Sequence, residues 1–175
     1  MIRTERLDLV PATAEALQAE LTGRVALSER LGADVPPSWP PPLYDDDAIR
    51  WMLARVSEGP EHERWGARYF LRRHPRPVAV GIGGYKSPPA SGEIEIGYSL
   101  LPEFQGQGLA AEACVGLVAR AFEASDVQRV IAETLPDLRP SIGVLERAGF
   151  RQLGEGSEEW AVRYAITRDE FAARG

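Results

Sequence analysis

Glu93 and Glu95 lie two residues apart in the stretch Glu93-Ile94-Glu95-Ile96-Gly97-Tyr98-Ser99-Leu100, and a glycine-rich corner, Gln105-Gly106-Gln107-Gly108-Leu109-Ala110, follows shortly after it. The alternation predicts a strand with Ile94 and Ile96 on its buried face and both carboxylates on the other, where a carboxylate can take a substrate proton or simply be solvated. From Leu109 the period changes: Ala110, Ala113, Cys114, Leu117, Val118, Ala121 and Phe122 recur at helical spacing. The corner therefore opens a helix. Its first N–H groups lack internal partners and the helix dipole favours negative charge there, so the corner is suited to an anion. Gly106 and Gly108 carry no Cβ, which lets a phosphate approach the backbone.

Two families write glycines in this way. Read from Gly106, the segment is G-x-G-x-x-A, a dinucleotide fingerprint, and Asp126 lies about the right distance downstream to hold a ribose. Against that reading, the preceding strand carries two glutamates, Leu101-Pro102-Glu103-Phe104 separates strand from glycines, and a long stretch of chain comes first. Read from Gln105, it is Q-x-x-G-x-A, and with the flanking Glu-Ile-Gly-Tyr it resembles the acetyl-CoA pyrophosphate loop of the GNAT family of N-acetyltransferases. The opening Ile2-Arg3-Thr4-Glu5-Arg6-Leu7-Asp8-Leu9-Val10-Pro11-Ala12-Thr13 and the run Gly84 to Pro89 are similar to the RimJ/RimL-like branch of that family. That branch acetylates protein N-terminal amines and small amines.

The resemblance implies acetyl-CoA as donor, with pyrophosphate held at Gln105, Gly106, Gln107, Gly108, Leu109 and Ala110. It also implies that backbone N–H groups around Tyr98, Ser99 and Leu100 hold the pantetheine arm and polarise the thioester. A glutamate at the position of Glu95 commonly faces the acceptor in this family and takes its proton; Glu93, on the same face, is a further acceptor-binding candidate. The loop around Trp39 and Tyr44 often walls the acceptor site, although Pro36 to Pro42 also reads as a stiff connector. Leu138 to Phe150 resembles the family's N-x-x-S-I-x-x-L-E-K-x-G-F with two departures. Leu138 replaces an asparagine that usually contacts the cofactor, and Leu145 stands where many members carry a tyrosine general acid. In the RimJ/RimL-like branch the serine matching Ser141 is the suggested acid; as a residue it also reads as a helix cap. Arg139 is a candidate contact for the cofactor phosphates or a surface arginine. Members are often dimers, so a homodimer is among the implied states.

Acetyl transfer requires a neutral amine. At pH 7 deprotonating a lysine-like amine costs about 4.6 kcal/mol and an α-amine about 1 kcal/mol, so an N-terminal or weakly basic amine asks little of a base.

Net charge is −6 with a pI near 5.1, which gives no global basic field for nucleic acid or an anionic membrane surface and suits a cationic amine. The one cysteine, Cys114, excludes an internal disulfide framework and reads as a small core residue in a reducing compartment. His62 and His74 belong to no metal-ligand cluster. Met1 to Arg6 does not read as a signal peptide and no apolar run approaches membrane length, so the expectation is a cytoplasmic protein.

The remaining elements must position these groups. A first strand is predicted over Glu5 to Val10, then a helix capped by Thr13 and weakened at Gly23, a helix capped by Asp45 or Asp46 and stopped at Gly59-Pro60, and strands over Trp65 to Leu71 and Val78 to Tyr85. Gly81-Ile82-Gly83-Gly84 lacks the ending of a phosphate loop and reads as a strand leaving space beside its neighbour. After the central helix come a strand over Val127 to Leu135, a helix opened by Pro140 and Ser141 and closed by Gly149, a terminal strand pair, and a capping-box turn at Thr167 to Glu170. The expected fold is one α/β (α+β) domain over residues 1–175, with a mixed, mostly antiparallel sheet of about seven strands flanked by about four helices. Three functions fit: an acetyl-CoA-dependent N-acetyltransferase, a non-catalytic acyl-CoA-binding module, and an NAD-linked oxidoreductase.

Overall fold

The computed structural model describes residues 1–174. Its eight strands, β1 (Ile2–Arg3), β2 (Leu7–Pro11), β3 (Ala67–Arg72), β4 (Val78–Tyr85), β5 (Glu93–Leu100), β6 (Arg129–Thr134), β7 (Arg151–Glu155) and β8 (Val162–Thr167), form one sheet in the order β1-β2-β3-β4-β5-β6-β8-β7. Every neighbouring pair is antiparallel except β5 and β6. The mixed, mostly antiparallel sheet is as expected, with one short strand added at the N-terminus.

Seven helices flank it: α1 (Ala14–Thr22), α2 (Arg24–Leu31), α3 (Asp46–Val56), α4 (Pro60–Arg64), α5 (Leu109–Phe122), α6 (Arg139–Ala148) and α7 (Arg168–Ala172). The excess over the expected four comes from short helices at breaks. Gly23, with φ 143°, ends α1 and begins α2, and Gly59-Pro60 stops nothing but starts α4. Thr13 and Asp45 cap α1 and α3 as expected, and Thr167 with Glu170 forms a complete capping box. None of the described helices is long and apolar enough to cross a membrane.

The sheet separates two cores. On one side α5 and α6 press Leu109, Ala113, Leu117 and Leu145 against Leu9, Phe70, Val80 and Ile96. Cys114 is buried there as a packing residue, and burial pushes its thiol up, away from reactivity. On the other side α1, α2 and α3 bury Leu17, Leu27 and Ile49 against Tyr69, Leu71 and Ile82. Gly81 and Gly83 let β4 and β5 approach: a Cβ at Gly83 would stand 2.6 Å from the Gly97 carbonyl oxygen and 2.6 Å from Phe70. These glycines leave space beside the neighbouring strand, as the sequence predicts.

The second core contains one charge. Glu20 of α1, 9% exposed, accepts hydrogen bonds from Trp39 Nε1 (2.6 Å), Tyr44 Oη (3.0 Å) and Tyr69 Oη (2.6 Å). No cation faces it among these contacts. Three neutral donors on one carboxylate tie α1, the proline loop and β3 together, and their loss would strand buried polar groups.

Two expectations follow. Gly83→Ala forces β4 from β5 and lowers unfolding free energy by about 1–3 kcal/mol, read by urea denaturation; an unchanged midpoint would refute the close-approach account. Glu20→Gln sets an amide N–H against either the Trp39 or the tyrosine donors and costs about 1–3 kcal/mol. Burial raises the folded-state pKa of Glu20, with the three hydrogen bonds opposing it. A raised carboxyl contributes stability that is full below its unfolded pKa and is lost as pH rises through the folded value. The wild type's advantage over Glu20→Gln should therefore shrink as pH rises through and above the glutamate range.

Candidate active site

The site begins where β5 and β6 part. Their parallel ladder joins Glu93 to Arg129, Ile94 to Val130 and Glu95 to Ile131, and stops there, while β5 continues along β4 to Leu100 and β6 along β8 to Thr134. Lys86 N–H donates to the Glu95 carbonyl (3.0 Å) and Leu101 N–H to the Val80 carbonyl (2.9 Å), which fixes the odd-numbered residues of β5 as those bonded to β4. The N–H groups of Tyr98 and Leu100 then point the other way, into the gap. Ser99 does not join them: its backbone turns to β4 and its Oγ donates to the Pro42 carbonyl at 2.7 Å.

At the end of the gap, beyond a 3₁₀ turn over Pro102–Phe104, the glycine corner opens α5. Gly106 and Gly108 have φ of 71° and 78°, a backbone region that L side chains rarely adopt, and Gly108 is the cap residue of α5 with no side-chain cap. Gln105 and Gln107 fold back onto the Leu100 and Glu103 carbonyls (3.0 Å each). Leu109 and Ala110 open α5, so their backbone N–H groups have no partner within the helix and can be offered to an anion.

One neighbour of the corner escaped the sequence reading. Arg6, over a hundred positions earlier in the chain, donates from Nη1 to the Gln107 carbonyl (2.9 Å) and from Nε to Glu112 Oε2 (2.6 Å). Glu112 is in the first turn of α5, where its charge would repel an anion. Its burial opposes ionisation, but hydrogen bonds from Thr4 and Arg6 outweigh that and hold the carboxyl below its usual range. Arg6 therefore neutralises an acid and leaves a second guanidinium nitrogen, Nη2, near the corner: a Cβ on Gly108 would stand 3.4 Å from it.

Across the gap Tyr98 Oη donates to the Ser141 carbonyl (3.1 Å) and lies 3.2 Å from Ser141 Oγ. Burial pushes the phenol up, keeping it a neutral donor. Ser141 is not the helix cap of the bland reading: α6 begins at Arg139, with Leu138 as a cap residue that makes no side-chain hydrogen bond. Ser141 Oγ therefore makes no helix cap and has Tyr98 Oη as its hydrogen-bond neighbour. Arg139, at the first position of α6, is exposed, and Leu145 is buried in the core.

On the opposite face of β4 and β5 lies a cleft of about 270 Å³, walled by Pro42 to Tyr44, by α3 and α4, and by Gly97, Tyr98 and Ser99 of β5. Glu95, partly exposed, projects on this face, where its carboxylate pairs with the ammonium of Lys86, a lining residue and the chain's sole lysine. Glu93 does not reach the cleft: it pairs with Arg129 at 2.8 Å and opens on a separate hollow at the other end of the sheet. Trp39 does not line it either, since its indole N–H is committed to Glu20; Tyr44 does, with its hydroxyl turned inward to the same glutamate. Trp51, Arg55, His62 and Trp65 are lining residues that the sequence gave no reason to group, because two helices bring them together.

The dinucleotide reading fails on geometry. In that motif the acid follows the second parallel strand, beside the glycines. Asp126 instead precedes β6, at the end of the parallel pair opposite the glycine corner. Among the described residues, no three His, Cys, Asp or Glu stand together to hold a metal.

Residues 6–151 match the acetyltransferase (GNAT) domain. The chain is 26% identical over 185 aligned positions to the FsC-acetyl coenzyme A-N(2)-transacetylase of Aspergillus fumigatus, with 97% of this chain and 77% of that protein covered. A crystal structure of an acetyltransferase from Agrobacterium tumefaciens superposes with a TM-score of 0.63 at 25% identity, over 95% of this chain and 94% of the other. RimL, a ribosomal L7/L12 alpha-N-protein acetyltransferase, superposes with a TM-score of 0.62 over 95% of each chain, and at 19% identity that likeness concerns the fold. A family match across most of the chain, on a fold whose central strands part beside a glycine corner, identifies it as a member of the GNAT acetyltransferase family.

Proposed function

We propose that the chain transfers an acetyl group from acetyl-CoA directly to a primary amine, as an enzyme of the RimJ/RimL-like branch. One observation carries the reading. The β5–β6 gap, with two backbone N–H groups turned into it, leads at one end to the glycine corner, and the same strand floors an apolar cleft on its other face. The fit to the cofactor rests on that donor pair and on Gly106, whose missing Cβ leaves open space.

Bound in the gap, acetyl-CoA supplies a thioester whose C–S bond breaks as the amide C–N bond forms. The N–H groups of Tyr98 and Leu100 hold the pantetheine arm and steady charge on the thioester oxygen. Gly106, Gln107, Gly108, Leu109 and Ala110 hold the pyrophosphate through backbone N–H groups, with Arg6 and Arg139 adding charge; Gln105 braces the turn. Glu95 takes the proton that the amine loses, directly or through water, and Lys86 keeps its carboxylate turned to the cleft. Ser141, aligned by Tyr98, returns a proton to the departing sulfur. Leu145 has no proton to give, so this pair replaces the tyrosine seen in many relatives.

The polar groups lost at Leu138 and Leu145 also favour a second reading, a module that binds acyl-CoA without turning it over. Thermal shift and turnover separate the two. Acetyl-CoA at a hundredfold its dissociation constant should stabilise the protein by about 2.7 kcal/mol while NAD leaves it unchanged. Arg6→Ala should raise the KM for acetyl-CoA several-fold with little change in kcat. Glu95→Gln should lower kcat/KM by about a hundredfold, and Ser141→Ala should lower kcat while the acetyl-CoA shift persists. Full turnover in both variants would remove these roles; a shift without turnover of any amine would leave the binding module.

A further inference from the structure

Nothing in the sequence or its relatives fixes the acceptor, and the acidic composition suits a cationic one. The walls of the cleft are of the opposite character. Among the described residues that line it are Arg55, His62 and Lys86, and no aspartate or glutamate. Glu58 pairs with Arg55 (3.5 Å) and lies 3.2 Å from His62, while Glu95, on the cleft face of β5, pairs with Lys86. A polycationic amine entering the cleft would meet the Arg55 guanidinium and the Lys86 ammonium, with the Glu95 carboxylate already paired to Lys86.

The rest of the wall is apolar and aromatic. Tyr44, Trp65 and Tyr85 are buried in it, while Trp51 is 54% exposed. At the mouth Leu43 is 99% exposed and held at φ 62°, an unfavourable conformation for a leucine. Two large apolar side chains offered to water around one cleft mark a surface that takes an apolar group. Arg55 lies over the Trp51 ring at 5.7 Å from its centroid, and its Nε is buried with no hydrogen-bond partner. Aromatic surface and guanidinium are thus presented side by side.

Resting on the acetyltransferase reading above, we propose that the acceptor is a small amine bearing both a large apolar or aromatic group and a carboxylate, as in an aromatic α-amino acid. The apolar group packs between Trp51 and Trp65, the carboxylate meets Arg55 and His62, and the α-amine is left facing β5. Its amine is easier to neutralise than a lysine-like one, although its own carboxylate keeps it more basic than a peptide α-amine.

The experiment measures CoA thiol release at saturating acetyl-CoA with phenylalanine, phenylalaninamide, alanine and spermidine. Phenylalanine should give the highest kcat/KM. Phenylalaninamide, which lacks the carboxylate but has the more easily neutralised amine, should fall at least tenfold; alanine, which lacks the ring, should fall about ten- to a hundredfold, and spermidine should not turn over. Arg55→Met should raise the KM for phenylalanine and leave that for phenylalaninamide unchanged. Spermidine as the best acceptor, or equal kcat/KM for the acid and its amide, overturns the proposal. If acetyl-CoA stabilises the protein and a peptide with a free N-terminus, tested alongside, is acetylated while phenylalanine is not, the acceptor class is wrong and the acetyltransferase reading stands. If acetyl-CoA gives no thermal shift, it is that underlying reading that has failed.

Discussion

Beyond Glu95 and Ile131 the strands β5 and β6 no longer pair, and the consequences of that parting run through the whole structure. In a continuous sheet the N–H groups of Tyr98 and Leu100 would be consumed by the neighbouring strand. Here they face a gap, and two donors left in the middle of a sheet have a cost unless something takes them up. The gap keeps its shape because each strand is held on its far side, β5 by β4 and β6 by β8, and because Tyr98 reaches across to Ser141. The crossover helix α5 starts at the end of β5, so its N-terminus lies at the gap by topology. A parallel pair joined by a helix is the one unit of this sheet that delivers strand end, glycine corner and helix dipole to the same place.

The two cores hold that unit from both sides. The first packs α5 and α6 under β5 and β6 and fixes the direction of α5 against the sheet. The second raises α3 and the proline loop above β4 and β5 as the far wall of the cleft. Glu20 is the polar fastening of this wall: one ionisable side chain receives donors from the loop and from β3. Ser99 supplies another fastening through the Pro42 carbonyl. The wall is therefore fixed to the strand that floors the cleft, and the loop's prolines restrict it further.

Much of the fold was legible because it is written at short range. The period-two run of β5, the period change at Leu109, the caps Thr13 and Asp45 and the capping box at Thr167 are local signals, and the structure carries all of them. The misreadings are long-range. Trp39 resembles an acceptor contact until Glu20 is brought beside it by the packing of α1 on the loop. Glu93 and Glu95 look equivalent on their strand, and only their partners, Arg129 from β6 and Lys86 after β4, separate them. Arg6 meets the glycine corner because β2 lies near the start of α5, a juxtaposition with no trace in local pattern. Asp126 shows the same limit in reverse: the right spacing placed it at the wrong end of the strand.

Net charge is the coarsest of these signals, and the cleft explains why it misleads. The chain carries 26 acidic and 20 basic residues, which as a sum favours cationic partners. Charges farther away than the Debye length, about 8 Å at physiological ionic strength, are largely screened where solvent intervenes. A ligand in the cleft therefore responds to the groups that line it. The charged lining groups are Arg55 and Lys86, each paired with a carboxylate, Glu58 and Glu95. Which residues line the cleft is a property of side-chain placement that composition does not encode.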